Sequence, residues 1–261
     1  MEIYSTQDHA APTYVRNTAC WAYDLDLTCI SPWNSQQAEV RAGTLISPRH
    51  VAFAAHAKVQ DGTTIRFIEA DGTVVTRTVV TTLDHPDYVS TPSAYPDINI
   101  GVLDRDVPDS ITFAKVLPGN WRDFLIPYLE SGGGYVPWPA GPAYYKVWGI
   151  PTLTVDQEEK ALVTDSWKMY VPPEQTNAIW DGATPLDATR LLFNETIVAG
   201  DSGNPICWII NDELVLLSVI TNTGPSGANF SYFKDAINTM MTTLGGGYQL
   251  TEVDLSGFTR M

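Results

Sequence analysis

Gly200-Asp201-Ser202-Gly203-Asn204-Pro205 is the stretch from which the rest of this chain can be read outward. A serine hydroxyl is a poor nucleophile in water. It needs a base to take its proton and fixed N–H groups to hold the oxyanion formed when it attacks a carbonyl. Glycines on either side of a serine permit a tight turn whose successive amides point into one cavity. Ser202 is therefore a candidate nucleophile, and the amides of Gly200 and Ser202 are candidate oxyanion donors. Taken alone, the stretch also reads as an ordinary turn, because Gly, Asp, Ser and Asn are common turn formers.

Two further frames lie upstream. The apolar run Val51 to Ala55 ends at His56, and Asp97 opens the hydrophobic stretch Ile98-Asn99-Ile100. Singly, His56 reads as a packed residue at the edge of a core and Asp97 as a strand-capping carboxylate. The order His, Asp, Ser, with each residue in its own local frame, is what those separate readings leave unexplained.

Strand signals dominate the intervening sequence. Expected strands in the first half are Glu39 to Ile46, Val51 to Ala55, Thr64 to Ala70, Thr73 to Thr81 and Asn99 to Leu103. Asp71-Gly72 between two of them suits the positive dihedrals of a two-residue hairpin turn. After a glycine-rich stretch from Ser131 to Gly141, the candidates are Ala143 to Ile150, Ala161 to Val171, Thr189 to Val198, Pro205 to Ile210 and Leu214 to Thr221. Asn211-Asp212 turns between the last two. One helix is expected, Phe233 to Leu244, with apolar residues at Phe233, Ile237, Met240, Met241 and Leu244 on one face and Gly245 to Gly247 as its stop. Many short strands with one terminal helix suit antiparallel barrels better than an α/β layout.

The 261 residues are enough for one large all-β domain or two small lobes. A formal charge of −15 argues against nucleic acid as a partner, since phosphate binding needs clustered Lys and Arg. No window is apolar enough to span a membrane. Met1 to Ala10 lacks the basic-then-apolar layout of a secretion signal, so the protein either avoids that route or begins after a removed signal. A secreted or extracellular protein is the expectation. The three cysteines have no metal-ligand spacing. Cys20 and Cys29 flank a short segment and suit either a bridge or free thiols, and Cys207, in an apolar run, reads as an inert core residue. The acidic turn Asp104 to Asp109 matches no calcium-loop spacing; no metal and no cofactor are expected.

With these residues in view, the sequence resembles the trypsin-like (chymotrypsin-fold) serine peptidases. Gly43-Thr44-Leu45-Ile46-Ser47 followed by Ala54-Ala55-His56 resembles their histidine region. Asp97-Ile98-Asn99-Ile100-Gly101-Val102-Leu103 resembles their aspartate strand, preceded by His85-Pro86 and Tyr88. Val147-Trp148-Gly149 looks like their Gly-Trp-Gly strand, and Gly200 to Pro205 matches the serine motif with Asn204 where a second glycine is usual. The resemblance covers roughly residues 35–244. It implies an all-β fold of two six-stranded antiparallel β-barrels with a C-terminal α-helix: an N-terminal extension over residues 1–34, a first barrel over 35–118, a second barrel and helix over 119–244, and a tail over 245–261. It implies that Ser202 attacks the scissile bond, His56 moves the proton and Asp97 orients the imidazole, with an acyl-enzyme intermediate. The chain order separates this family from subtilisin-type enzymes and α/β-hydrolases. The implied activity is a serine endopeptidase, probed against two alternatives: an idle triad on a fold used as a binding or structural module, and an esterase on the same fold.

Three departures carry consequences. No Ile-Val-Gly-Gly-like segment precedes Gly43, so Asp201 needs a partner other than a freed amino terminus; an unpaired buried carboxylate would cost about 3–5 kcal/mol. Lys146 is one candidate, with a solvated strand lysine as the other reading of it. Ala57 stands where many relatives have cysteine, so the histidine-loop disulfide is missing and a single-chain bacterial or viral type is expected. Counting back six from Ser202 reaches Thr196, where trypsin-like members that select Lys or Arg carry Asp. Thr196, Ile197 and Val198, facing Ser218, Val219 and Ile220, are the expected substrate pocket, with Glu195 one position off. Such a pocket suits an apolar or small side chain. The expected partner is a polypeptide substrate, and the expected state a monomer.

Overall fold

Six short strands of the first half, rich in β-branched residues, pair into a single antiparallel sheet. They are β1 (Ile30–Ser31), β2 (Gly43–Ser47), β3 (His50–Phe53), β4 (Thr64–Ile68), β5 (Val74–Asp84) and β6 (Asn99–Leu103). Their order is β1-β2-β3-β6-β5-β4. The edge strands β1 and β4 come together, so the sheet curls into a nearly closed barrel, and closure removes the unpaired edges a flat sheet would present. The computed structural model describes residues 2–5, 13–32, 42–90, 96–125, 146–148, 152–156, 162–166, 169–171, 177–181, 198–222 and 226–260.

Strands β2, β3 and β6 are buried along their whole length. This explains why Gly43 to Ser47, His50 to Phe53 and Asn99 to Leu103 show no polar-out alternation: neither face meets water. The barrel interior is filled by pairing large with small. The ring of Phe53 lies where side chains on neighbouring strands would otherwise sit, and a Cβ on Gly43 would come within 2.5 Å of it and one on Gly101 within 3.1 Å. The hairpin joining β4 and β5 forms as expected, but its turn is longer than two residues. Only Gly72 takes a positive φ (+91°); Asp71 instead accepts the Thr73 N–H through its carboxylate at 2.9 Å. The true two-residue turn is Asn211-Asp212, with φ of +55° and +61°.

Of residues 1–34, expected as an extension, the described parts contribute to this barrel. They supply β1 and the buried side chains of Ile3, Tyr14, Cys20, Leu27 and Cys29. The Tyr14 N–H donates to Gly72 O at 2.8 Å, and Arg16 fastens the segment by donating to Ala22 O at 2.7 Å and Tyr23 O at 3.1 Å. All three cysteines are free and buried, so Cys20 and Cys29 are not bridged. Burial pushes the thiols of Cys29 and Cys207 well above the ordinary range.

The second half is also antiparallel. Its described strands are β7 (Phe124–Leu125), β8 (Lys146–Trp148), β9 (Thr152–Asp156), β10 (Leu162–Ser166), β11 (Met169–Val171), β12 (Ala178–Asp181), β13 (Pro205–Ile210), β14 (Glu213–Val219), β15 (Ser226–Ala228) and β16 (Thr259–Arg260). They form two four-stranded sheets, β10-β9-β13-β14 and β15-β12-β11-β8, and a ribbon of β7 with β16. A closed second barrel is not seen among the described residues. The expected run Ala161 to Val171 is two strands. The expected strand Thr189 to Val198 lies outside the described residues except for Val198, as does the glycine-rich stretch Ser131 to Gly141. A second core gathers here around Trp121 and Trp208, which meet edge to face at 5.6 Å.

Helix α1 (Lys234–Leu244) buries Ile237, Met240 and Met241 and packs on β5 and β6. It ends at Gly245, whose φ is +88°. There His50 of β3 donates from Nε2 to Gly245 O at 2.8 Å and meets Ser47 Oγ through Nδ1 at 2.8 Å. The C-terminal segment is structural: Val253 N–H donates to Val116 O at 2.9 Å, and Leu250, Val253 and Leu255 are buried.

Candidate functional site

Strand β3 runs into Ala54 and a single 3-10 turn, Ala55–Ala57. Ala54, Ala55 and Ala57 are small enough to be buried on that tight turn, which leaves His56 as its outward residue, with a side chain 37% exposed. Asp97 lies two residues before β6, and β6 pairs with β3 from His50↔Val102 to Phe53↔Asn99. The barrel register thus brings the strand end carrying His56 and the strand start carrying Asp97 together.

The Asp97 carboxylate takes both donors that His56 offers on that side: Oδ1 accepts the backbone N–H at 3.0 Å, and Oδ2 meets Nδ1 at 2.6 Å. Because a carboxylate can only accept, Nδ1 carries a proton, and in the neutral imidazole Nε2 is left with a lone pair. Ser202 Oγ stands 2.8 Å from Nε2, so the serine hydroxyl donates to it. Residues separated by 146 positions in sequence form one hydrogen-bonded chain from carboxylate to imidazole to hydroxyl.

Ser202 sits on a turn built as its letters suggest. Gly200 and Gly203 have φ of +115° and +94°, conformations that disfavour any other residue. Gly203 is further fixed by close packing: an added Cβ would lie 2.9 Å from Ala42 O, and its N–H donates to Ile220 O at 2.8 Å. The Ser202 turn is thereby pressed against the first barrel next to β2. Among the described residues, neither the Gly200 N–H nor the Ser202 N–H has a hydrogen-bond partner, and Gly200 is exposed.

Asp201 is 1% exposed. Its carboxylate accepts the Val198 N–H at 2.8 Å and the side-chain amide of Asn204 at 3.4 Å. Asn204, the residue that replaces a glycine, therefore supplies a donor to the buried acid from within the same turn. Only the backbone of Lys146 is described, in β8, so its expected pairing with Asp201 lies outside the described side chains.

Of the expected pocket, Glu195, Thr196 and Ile197 lie outside the described residues. Val198 is half-buried at the root of the Ser202 turn. Ser218, Val219 and Ile220 are all buried; Val219 belongs to the first core and Ile220 to the second. Gly227 of β15 backs directly on them, since a Cβ there would meet Val219 O at 2.0 Å. The half-buried polar residues are those that follow: Thr221 N–H donates to Ser226 O at 3.0 Å, and Asn222 Nδ2 to Ser226 Oγ at 2.7 Å. The polar run after Ile220 was the available signal for them. Among the described residues no cluster of His, Cys, Asp and Glu is arranged to hold a metal ion, and no helix is long and apolar enough to cross a membrane.

The antiparallel barrel-like sheet is compatible with a chymotrypsin-like fold. No protein-family model matches the chain, and no curated protein matches it.

Proposed function

We propose that this chain is a serine endopeptidase of the trypsin-like kind, hydrolysing peptide bonds through His56, Asp97 and Ser202. The observation that carries the reading is the unbroken chain of hydrogen bonds, 2.6 Å from Asp97 to His56 and 2.8 Å from His56 to Ser202. That is the geometry an activated nucleophile needs. Ser202 Oγ adds to the scissile carbonyl as its proton passes to His56 Nε2. Asp97 steadies the imidazolium, and the Gly200 and Ser202 amides receive the oxyanion. Collapse breaks the C–N bond, with His56 returning the proton to the leaving amine and leaving an acyl group on Ser202. Water, activated by the same imidazole, then releases the acid and restores the hydroxyl.

In this reading the two four-stranded sheets of the second half are parts of a second barrel, and the substrate lies in the cleft between halves. The substrate is an extended polypeptide with an apolar or small side chain before the cleaved bond, and the enzyme is a secreted, single-chain monomer of bacterial or viral type. The test is labelling with a fluorophosphonate, followed by a fluorogenic peptide-library screen with Ser202→Ala as control. Labelling at Ser202 and cleavage lost in the variant are expected. A folded wild-type protein that never reacts at Ser202 would instead favour the idle fold serving as a binding module. Faster turnover of esters with no amide cleavage would favour an esterase.

A further inference from the structure

The turn that carries His56 is joined to the strand that carries Asp97 by a second route, on residues the proposed chemistry does not use. Lys58 closes the 3-10 turn, and its Nζ lies 2.5 Å from Asp84 Oδ2. Asp84 is the last residue of β5, and its other oxygen accepts from Asn99 Nδ2 at 2.8 Å. Asn99 begins β6, pairs in register with both Asp84 and Phe53, and stands two residues after Asp97. One carboxylate thus spans from the exit of the His56 turn to the root of the Asp97 segment.

We propose that Lys58, Asp84 and Asn99 form a clamp that fixes the approach of His56 to Asp97, as positioning residues for the reaction; this rests on the catalytic reading above. Two observations favour that role over a general contribution to stability. Asn99 is fully buried in an otherwise apolar strand, and its Oδ1 has no partner among the described residues. An unsatisfied buried carbonyl costs about 1–3 kcal/mol, so an asparagine here weakens the barrel unless its amide serves another end. The Lys58–Asp84 pair is partly exposed, with side chains 38% and 33% accessible, and such pairs add at most about 1 kcal/mol to stability. A displacement of about 1 Å in a catalytic group, by contrast, lowers a rate by roughly 10²-fold. The His56 turn also has no disulfide to hold it, since all three cysteines are free. The clamp therefore matters far more to reactivity than to folding.

The experiment measures fluorophosphonate labelling of Ser202, thermal unfolding, and the downfield proton resonance of His56 Nδ1–H in the full chain. The variants are Asp84→Ala, Asp84→Glu and Lys58→Met. Asp84→Ala is expected to lower the labelling rate about tenfold, a fraction of the loss for a full misplacement, and to broaden the resonance as the Nδ1 proton exchanges faster with water. Asp84→Glu restores much of both, and Lys58→Met lowers labelling in the same direction. Should Asp84→Ala fail to fold, Lys58→Met at its accessible position decides the matter. Wild-type labelling with an indifferent Lys58→Met and an unchanged resonance overturns the clamp alone. A wild type that does not label overturns the catalytic reading and the clamp with it.

Discussion

Replacing Asp97 by asparagine keeps the shape of the side chain and reverses the polarity of half of it. The carboxylate now accepts twice from His56, at 3.0 Å from the backbone N–H and at 2.6 Å from Nδ1. The backbone N–H can only donate, so the amide oxygen of the variant stays with it, and the amide NH2 is left facing Nδ1. Two donors cannot share that contact, and the imidazole answers by moving its proton to Nε2. There it points at Ser202 Oγ, 2.8 Å away, and no longer takes the hydroxyl proton. The charge is lost as well. An imidazolium and a carboxylate about 4 Å apart at an effective dielectric near 20 attract by about 4 kcal/mol, roughly three factors of ten in rate. Adding about 1 kcal/mol for the wrong tautomer's exchanged hydrogen bond gives a loss on the order of 10³–10⁴. The assay is the second-order rate of fluorophosphonate labelling at Ser202, with unfolding temperature as control. If Asp97→Asn keeps its fold and still labels at a rate close to wild type, the assignment of His56 as base, oriented by Asp97, is refuted.

Two further outcomes follow from the same structure. Gly203→Ala forces a side chain onto a φ of +94° with Ala42 O 2.9 Å from the new Cβ; the backbone conformation alone costs about 1–2 kcal/mol, so unfolding temperature and labelling should both fall, and a variant matching wild type in both would remove Gly203 from the account of how Ser202 is held. Burial lowers the pKa of His50 and of His85 below the free imidazole value. The unfolded chain therefore protonates first as pH falls, so their contribution is full above about pH 6.5 and is lost on acidification towards their folded values, at up to about 1.4 kcal/mol per pH unit each. Unfolding temperature should hold between about pH 8 and 7 and decline below about 6.5, with the decline reduced in His50→Gln and His85→Gln; a temperature that stays flat or rises on acidification contradicts the sign.

The elements legible from sequence are those whose local chemistry and burial agree. Asn99 to Leu103 and Pro205 to Ile210 are strands at the expected bounds, because a short apolar run between turn formers has few other ways to be buried. The helix ends at Leu244 as expected and starts one residue late, at Lys234, because its buried Ile237, Met240 and Met241 share one face and Gly245 stops it. What escaped reading is long-range. Residues 1–34 carry too few runs to look like part of a barrel, yet a two-residue strand and scattered side chains such as Ile3, Tyr14 and Leu27 suffice once the register of β2 is set by β3. Asp71-Gly72 misled on turn type because asparagine or aspartate before glycine fits more than one loop, and here the Asp71 side chain, bonded to Thr73 N–H at 2.9 Å, selects the longer one. The resemblance, not the hydrophobic pattern, set Val219 and Ile220 beside a pocket; the structure buries Val219, paired with Pro205, in one core and Ile220, just past β14, in the other.

Two buried asparagines stand at the site. Asn204 occupies a glycine's place in the Ser202 turn, and Asn99 opens an otherwise apolar strand two residues from Asp97. Each is fully buried with its side-chain oxygen unpartnered among the described residues, and each donates its amide to a carboxylate, Asp201 or Asp84. A core selected for stability alone would place an apolar or small residue at both positions. Departures of this kind concentrate where a structure gives up stability to hold a geometry, and these two fasten the turns that bring Ser202 and His56 to within 2.8 Å of one another.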